Sequence, residues 1–138
     1  MYDVYGRSDD PVNAFIEDDM SKTVRRCFAV DLYDDPASIA RYRAWHEAGV
    51  PPAAVTEAIR ADDVRELEIW QVGDRMFMIL EQGDQYDSQA KAARDAANPD
   101  VQAWDALMRT FQKSLPFAPG QTWVEMERIY ALSEQPPS

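Results

Sequence analysis

The stretch VRELEIWQVGDRMFMILE, residues 64–81, predicts a β-hairpin. Its first half alternates along Val64–Val72 in the period of two that is typical of a strand, with Leu67 and Ile69 on one side. The side chains predicted on the opposite side are Glu66, Glu68 and Trp70. A two-residue turn at positions 73–74 (Gly-Asp) joins this strand to a second one, which is apolar on both faces. We therefore expect both faces of the hairpin to be covered.

Strand and helix patterns extend from the hairpin in both directions. Upstream, residues 26–32 alternate as a strand, and a helix follows the capping residue Asp35 and Pro36. Downstream, two helical segments precede a final predicted strand over Trp123–Leu132. The order βαββαβ is typical of the α+β ferredoxin-like fold. Because helices cover only one face of such a sheet, the other face should line a ligand site or pack on a partner.

The chain has the length of one domain, with 138 residues in all. We expect an acidic N-terminal extension over residues 1–20, one folded domain over residues 21–132, and a tail without regular structure over residues 133–138. The extension holds six acidic residues and one arginine, so it contributes almost half of the net charge of −11.

Composition excludes several classes of function. With 25 acidic residues against 14 Lys and Arg, the surface should repel nucleic acid and anionic membranes. One His and one Cys cannot form a Cys/His zinc site or an internal disulfide, so no metal is expected. No signal peptide or membrane-spanning stretch is recognisable, and the sequence therefore predicts a cytoplasmic protein with Cys27 as a buried thiol.

The candidate chemistry centres on His46. Tyr42 precedes it by one helical turn, so the two side chains should be neighbours, either as an acid/base pair or as a half-buried helix face. Glu68 and Trp70 share a strand face that could be a pocket wall or an open polar edge. Trp104 and Asp105 could line the same site, or be a core indole and a solvated acid. The motifs of nucleotide, serine-hydrolase and zinc-peptidase sites are absent.

Aromatic and carboxylate side chains around a single histidine suit an uncharged, hydroxylated ligand such as a monosaccharide. The simplest reaction on such a ligand is the exchange of sugar anomers, which needs general acid/base catalysis and no cofactor. The sequence therefore predicts a site that holds neither cofactor nor metal.

Four stretches together resemble the L-rhamnose mutarotase family, closest to its L-fucose mutarotase-like branch, over about residues 25–132. They are RCFAVDLYDDPASIARYRAWH, ELEIWQVGDRMFMILE, NPDVQAWDALM and FQKSLPFAPGQTWVEMERIYAL. The resemblance implies a homodimer of the dimeric α/β-barrel type that exchanges the α and β anomers of a 6-deoxy-L-hexose without a cofactor. It also implies that His46 is the proton donor and that Tyr42, Trp104 and Asp105 occupy sugar-binding positions.

Three departures from the rhamnose branch bear on the substrate and the activity. Leu67 and Asp105 stand where that branch has aromatic residues, which favours an L-fucose-like substrate over L-rhamnose. A Val-Pro-Pro run at residues 50–52 replaces the Trp-Pro-Glu that usually follows the catalytic histidine. This last change keeps open an alternative, a non-catalytic sugar-binding or regulatory module on the same dimeric fold. A small cofactor-free monooxygenase or isomerase of that architecture is a third hypothesis.

Overall fold

The structure is a computed structural model that describes residues 23–137. The extension predicted over residues 1–20 lies outside the described residues. Five strands form one sheet in the order β2-β3-β1-β4, with β5 also paired to β1, and each pairing is antiparallel. The strands are β1 (Val24–Leu32), β2 (Val64–Val72), β3 (Arg75–Gln82), β4 (Gln112–Lys113) and β5 (Val124–Glu125). The predicted α+β class and the βαββαβ order of the main elements are confirmed.

Four α-helices in the described residues begin at recognisable caps or prolines. They are α1 (Pro36–Trp45), α2 (Ala53–Ala61), α3 (Ser88–Ala96) and α4 (Pro99–Arg109). The Asp35 carboxylate caps α1 by accepting from the N–H of Ala37, and Asn98 caps α4 in the same way. Pro36 and Pro99 then occupy the first helical turn, where a missing N–H costs nothing.

The core lies between the sheet and the helices. We call this side the helix face, and it carries Val30, Met76 and Ile69 from three neighbouring strands. The helices contribute Tyr42 and Met108 to the same cluster. This burial of apolar side chains is the main source of stability in a domain of this size.

The opposite side, which we call the open face, carries Cys27, Trp70, Phe77 and Ile79. The loop 115–118 packs over its Phe77 end. Trp70 stays 60% exposed. Within the part of the chain that the structure describes, this face is therefore only partly covered, as expected for a sheet with helices on one side.

The predicted final strand over Trp123–Leu132 is wrong beyond its first residues. Val124 and Glu125 pair with β1, and the N–H of Met126 still donates to the Cys27 carbonyl at 2.7 Å, but the chain then leaves the edge. Ile129 is 93% exposed. An alternating pattern identifies residues suited to a strand, whereas strand formation also requires an edge to pair with.

The tail also departs from expectation at its start. A 3-10 helix covers Leu132–Glu134, and an ion pair joins Glu134 to Arg128. The two-residue strand β4 is a further element that the sequence pattern does not predict.

A buried carboxylate ties α2 to α3. Asp62, directly after α2, is 3% exposed, and its oxygens accept from Lys91 at 3.2 Å and from Arg94 at 2.6 Å. Lys91 also pairs with Asp95 at 2.6 Å. A buried carboxylate is tolerated when charged donors satisfy it in this way.

The substitution Asp62→Asn should lower the free energy of unfolding by about 2 kcal/mol, because it removes the charge that both cations bind. Urea denaturation followed by circular dichroism measures this change. Asp84→Asn is the matched control, since Asp84 is exposed. Equal stability of the two variants would contradict a stabilising role for the Asp62 pairs.

Candidate active site

His46 lies directly after the last residue of α1. Its backbone N–H donates to the Arg43 carbonyl at 3.0 Å, so the bond skips the Tyr42 carbonyl that a continuing α-helix would use. The ring atom Nδ1 lies 2.7 Å from that same Tyr42 oxygen. Because a carbonyl oxygen only accepts, Nδ1 carries the hydrogen and donates it. Nε2 is then the ring atom that can give or take a proton.

Tyr42 places a phenol beside this imidazole. Its ring centroid is 4.3 Å from that of His46, and a second contact, at 5.6 Å, is made with Phe111. The Gln112 amide donates to the phenol oxygen at 3.4 Å. Burial raises the pKa of Tyr42 above 10.0, and the bond from Gln112 offsets part of that rise. The phenol therefore stays protonated at neutral pH, and its own hydrogen can be donated to an acceptor other than Gln112.

Trp104 is the second aromatic residue in contact with the imidazole. An apolar stripe on α4, with Val101 and Met108 one turn to either side, turns this indole toward the core. Its ring centroid lies 5.5 Å from that of His46 and 6.1 Å from that of Trp45. The imidazole thus contacts both a phenol and an indole, an arrangement that combines a proton carrier with apolar surfaces.

Asp105 follows Trp104 on α4 but has different neighbours. Burial raises the pKa of its carboxyl, and the nearby carboxylate of Asp95 raises it further, while Arg109 and Lys91 act in the opposite direction. These charged groups belong to α3 and to the end of α4. The electrostatic environment of Asp105 is therefore that of the ion pairs on α3.

Glu68 and Trp70 lie on the open face. The Trp70 indole donates to the Glu68 carboxylate at 3.1 Å. Ile69, between them in sequence, points to the helix face and packs in the cluster that contains Tyr42 and Trp104. Within the chain, the sheet therefore stands between His46 and the Glu68–Trp70 pair, and the structure does not bring these residues together.

Two residues near His46 were not predicted from the sequence. Gln112 reaches Tyr42 from β4, which is too short to show a periodic pattern. Trp45 precedes His46 and contacts Trp104. The one feature of the sequence that could have identified Trp45 is its position as an aromatic residue directly before the single histidine.

Three further findings concern ligands and membranes. Across residues 23–137, no group of three or more His, Cys, Asp or Glu side chains is placed to hold a metal ion. Cys27 is a free, half-buried thiol. Each helix in the described part of the chain is too short or too polar to cross a membrane.

Known proteins are similar to this chain over most of its length. The model of the L-rhamnose mutarotase family matches residues 25–132. An L-fucose mutarotase of Xanthomonas campestris pv. campestris is 49% identical over 111 residues, which cover 80% of this chain and 89% of the relative. A UPF0734 protein of Dictyostelium discoideum is 28% identical over 109 residues, covering 75% of this chain and 86% of the relative.

The fold is also shared with a solved structure. The crystal structure of an L-rhamnose mutarotase from Formosa agariphila superposes with a TM-score of 0.55. The two sequences are 18% identical, and the match covers 79% of this chain and 98% of that one. This likeness independently supports the α+β topology described above.

The environment of Tyr42 predicts that its phenol ionises only above pH 10.0. The difference between the ultraviolet titration of the wild type and that of Tyr42→Phe isolates this one group among six tyrosines. Because the folded protein favours the neutral phenol, the absorbance change in the difference curve should have its midpoint above pH 10.0. A midpoint at or below that pH would contradict the buried environment of Tyr42.

Proposed function

The chain belongs to the L-rhamnose mutarotase family, and from this premise we propose that His46 is the acid/base group of its catalysed reaction. The protein is a sugar mutarotase, a carbohydrate isomerase that interconverts the α and β anomers of its substrate. The observation that carries the role of His46 is the 2.7 Å contact between Nδ1 and the Tyr42 carbonyl. This bond holds the ring in one orientation and leaves Nε2 for the substrate.

The proposed reaction starts from the imidazolium form of His46. Nε2 gives its proton to the ring oxygen of the sugar as the bond between that oxygen and C1 breaks. The proton of the anomeric hydroxyl passes to water as the carbonyl forms at C1. After rotation about C1–C2, the hydroxyl formed from the ring oxygen attacks the other face of C1. The carbonyl oxygen takes back the proton that water had accepted, and the attacking hydroxyl returns its proton to Nε2.

Tyr42 and Trp104 are proposed to hold the sugar during these steps. The neutral phenol of Tyr42 donates a hydrogen bond to a sugar oxygen, since burial keeps it protonated. The indole of Trp104 covers apolar C–H groups of the ring. Asp105, whose charged neighbours lie on α3 and at the end of α4, is proposed to influence this region indirectly, without contacting the sugar.

An L-fucose-like 6-deoxy-L-hexose is the favoured substrate. The relative that is 49% identical is named an L-fucose mutarotase, and it matches across 89% of its own length. Leu67 supports this choice, because it shares the helix face with Ile69 and gives that part of the sheet an apolar surface.

We also propose that the enzyme is a cytoplasmic homodimer. The open face, with Trp70 at 60% exposure, is an apolar surface that a second copy of the chain can cover. Glu68 and Trp70 are then interface residues, and any contact they make with sugar depends on the assembly. A free thiol at Cys27 is suited to a reducing compartment.

His46→Ala should reduce the catalysed exchange of L-fucose anomers by about 10²–10⁴-fold, the usual contribution of general acid/base catalysis. Saturation-transfer NMR measures the exchange rate directly, with L-rhamnose as a second sugar. Glu47→Gln is the control, because Glu47 is an exposed carboxylate directly after His46 and has no role in the proposed reaction. An unchanged rate in His46→Ala would refute its role, and no acceleration by the wild type with either sugar would refute the mutarotase activity.

Trp70→Glu should convert the dimer to a monomer, because it puts a charge at the centre of the proposed interface. Light scattering after size-exclusion chromatography should give twice 15.7 kDa for the wild type and 15.7 kDa for the variant. Val50→Ser, which alters an exposed apolar residue beyond α1, should remain dimeric. A wild type that elutes as a monomer would contradict the homodimer.

A further inference from the structure

Trp45 is a partly exposed indole next to the reacting imidazole. It is the last residue of α1, and 37% of its surface is exposed. Its ring meets that of Trp104 at 6.1 Å with an interplanar angle of 81°. Since Trp104 also contacts His46, the three rings form one continuous aromatic row.

Packing alone does not account for this indole. The core cluster beneath α1 is built around Tyr42, Met108 and Phe111, with Trp104 packed against it, and Trp45 is not a member. Its ring contacts that of Trp104, which is itself packed against this cluster. Trp45 therefore extends the aromatic wall beside His46 from the core toward solvent.

The angle between the two indoles shapes a corner. An 81° arrangement presents two nearly perpendicular apolar planes, with the imidazole of His46 at the inner end of the row. A pyranose has hydroxyl oxygens around its edge and C–H groups on its faces. The C–H groups pack on the electron-rich face of an indole, while the oxygens remain available to Nε2 of His46 and to the Tyr42 hydroxyl.

We propose that Trp45 is a substrate-binding residue that packs against the C–H face of the sugar next to His46. This proposal rests on the mutarotase function proposed above. The contact acts equally in the ground state and in the transition state, because the C–H face does not change charge during ring opening. Trp45 therefore lowers KM and leaves kcat nearly unchanged.

Kinetics of two substitutions test the proposal. Trp45→Leu keeps an apolar side chain but removes the ring, so KM for L-fucose should rise roughly tenfold with little change in kcat. Trp45→Phe restores an aromatic face and should recover most of the affinity. Tyr33→Leu is the control, because Tyr33 is another exposed aromatic residue, 51% exposed, in the loop before α1. An unchanged KM in Trp45→Leu would overturn the proposal.

A second measurement does not depend on the stability of the leucine variant. The four tryptophans give four indole N–H signals in the ¹⁵N-labelled protein, and the signal missing from Trp45→Phe is that of Trp45. Added L-fucose should shift this signal over the concentrations that saturate catalysis. A signal that stays in place at saturation would overturn the role of Trp45 even though the enzyme is active, whereas a wild type without anomer exchange would overturn the proposed function itself.

Discussion

Eight consecutive cross-strand pairs between β1 and β3 hold the centre of the sheet, and the placement of the other elements depends on their register. At one end, the Arg75 guanidinium binds the buried Asp31 carboxylate through two hydrogen bonds of 2.7 and 3.2 Å. A shift of one residue would separate this pair and turn Val30 from the core to the open face. The register therefore decides which side chains the helices can cover, and with them the position of α1.

The candidate site follows from the way α1 ends over this sheet. Tyr42 must enter the core, and the helix stops three residues later with a bond from the N–H of His46 to Arg43. Carbonyls in the last turn of a helix lack backbone partners, and here the imidazole fills that position at Tyr42. One local feature thus completes the helix end and orients the imidazole, so the contact that caps the helix also fixes the ring that we propose as the acid/base group.

Local patterns in the sequence were sufficient for the hairpin, the helix caps and the Tyr42–His46 pair, because each depends on residues within a few positions of one another. Local patterns could not predict where the final strand ends or that Gln112 contacts Tyr42. Strand formation after Glu125 depends on which edge is available, and Gln112 reaches Tyr42 from a strand of two residues that carries no period. Glu68 and Trp70 lie on the opposite side of the sheet from His46. To predict this from the sequence, one would have to know the strand register and which side of the sheet the helices occupy.

The alternation of side chains along each strand also divides the sheet into two surfaces with different neighbours. On β2, Ile69 belongs to the helix face that supports Tyr42 and Trp104, whereas Trp70 belongs to the open face. A substitution on the open face can therefore alter the proposed dimer interface without moving the imidazole, unless it also alters the register. Conversely, a change at Ile69 acts on the packing beneath Trp104, and hence on the aromatic wall beside His46. The surface proposed for catalysis and the surface proposed for assembly are thus separated by one residue along β2.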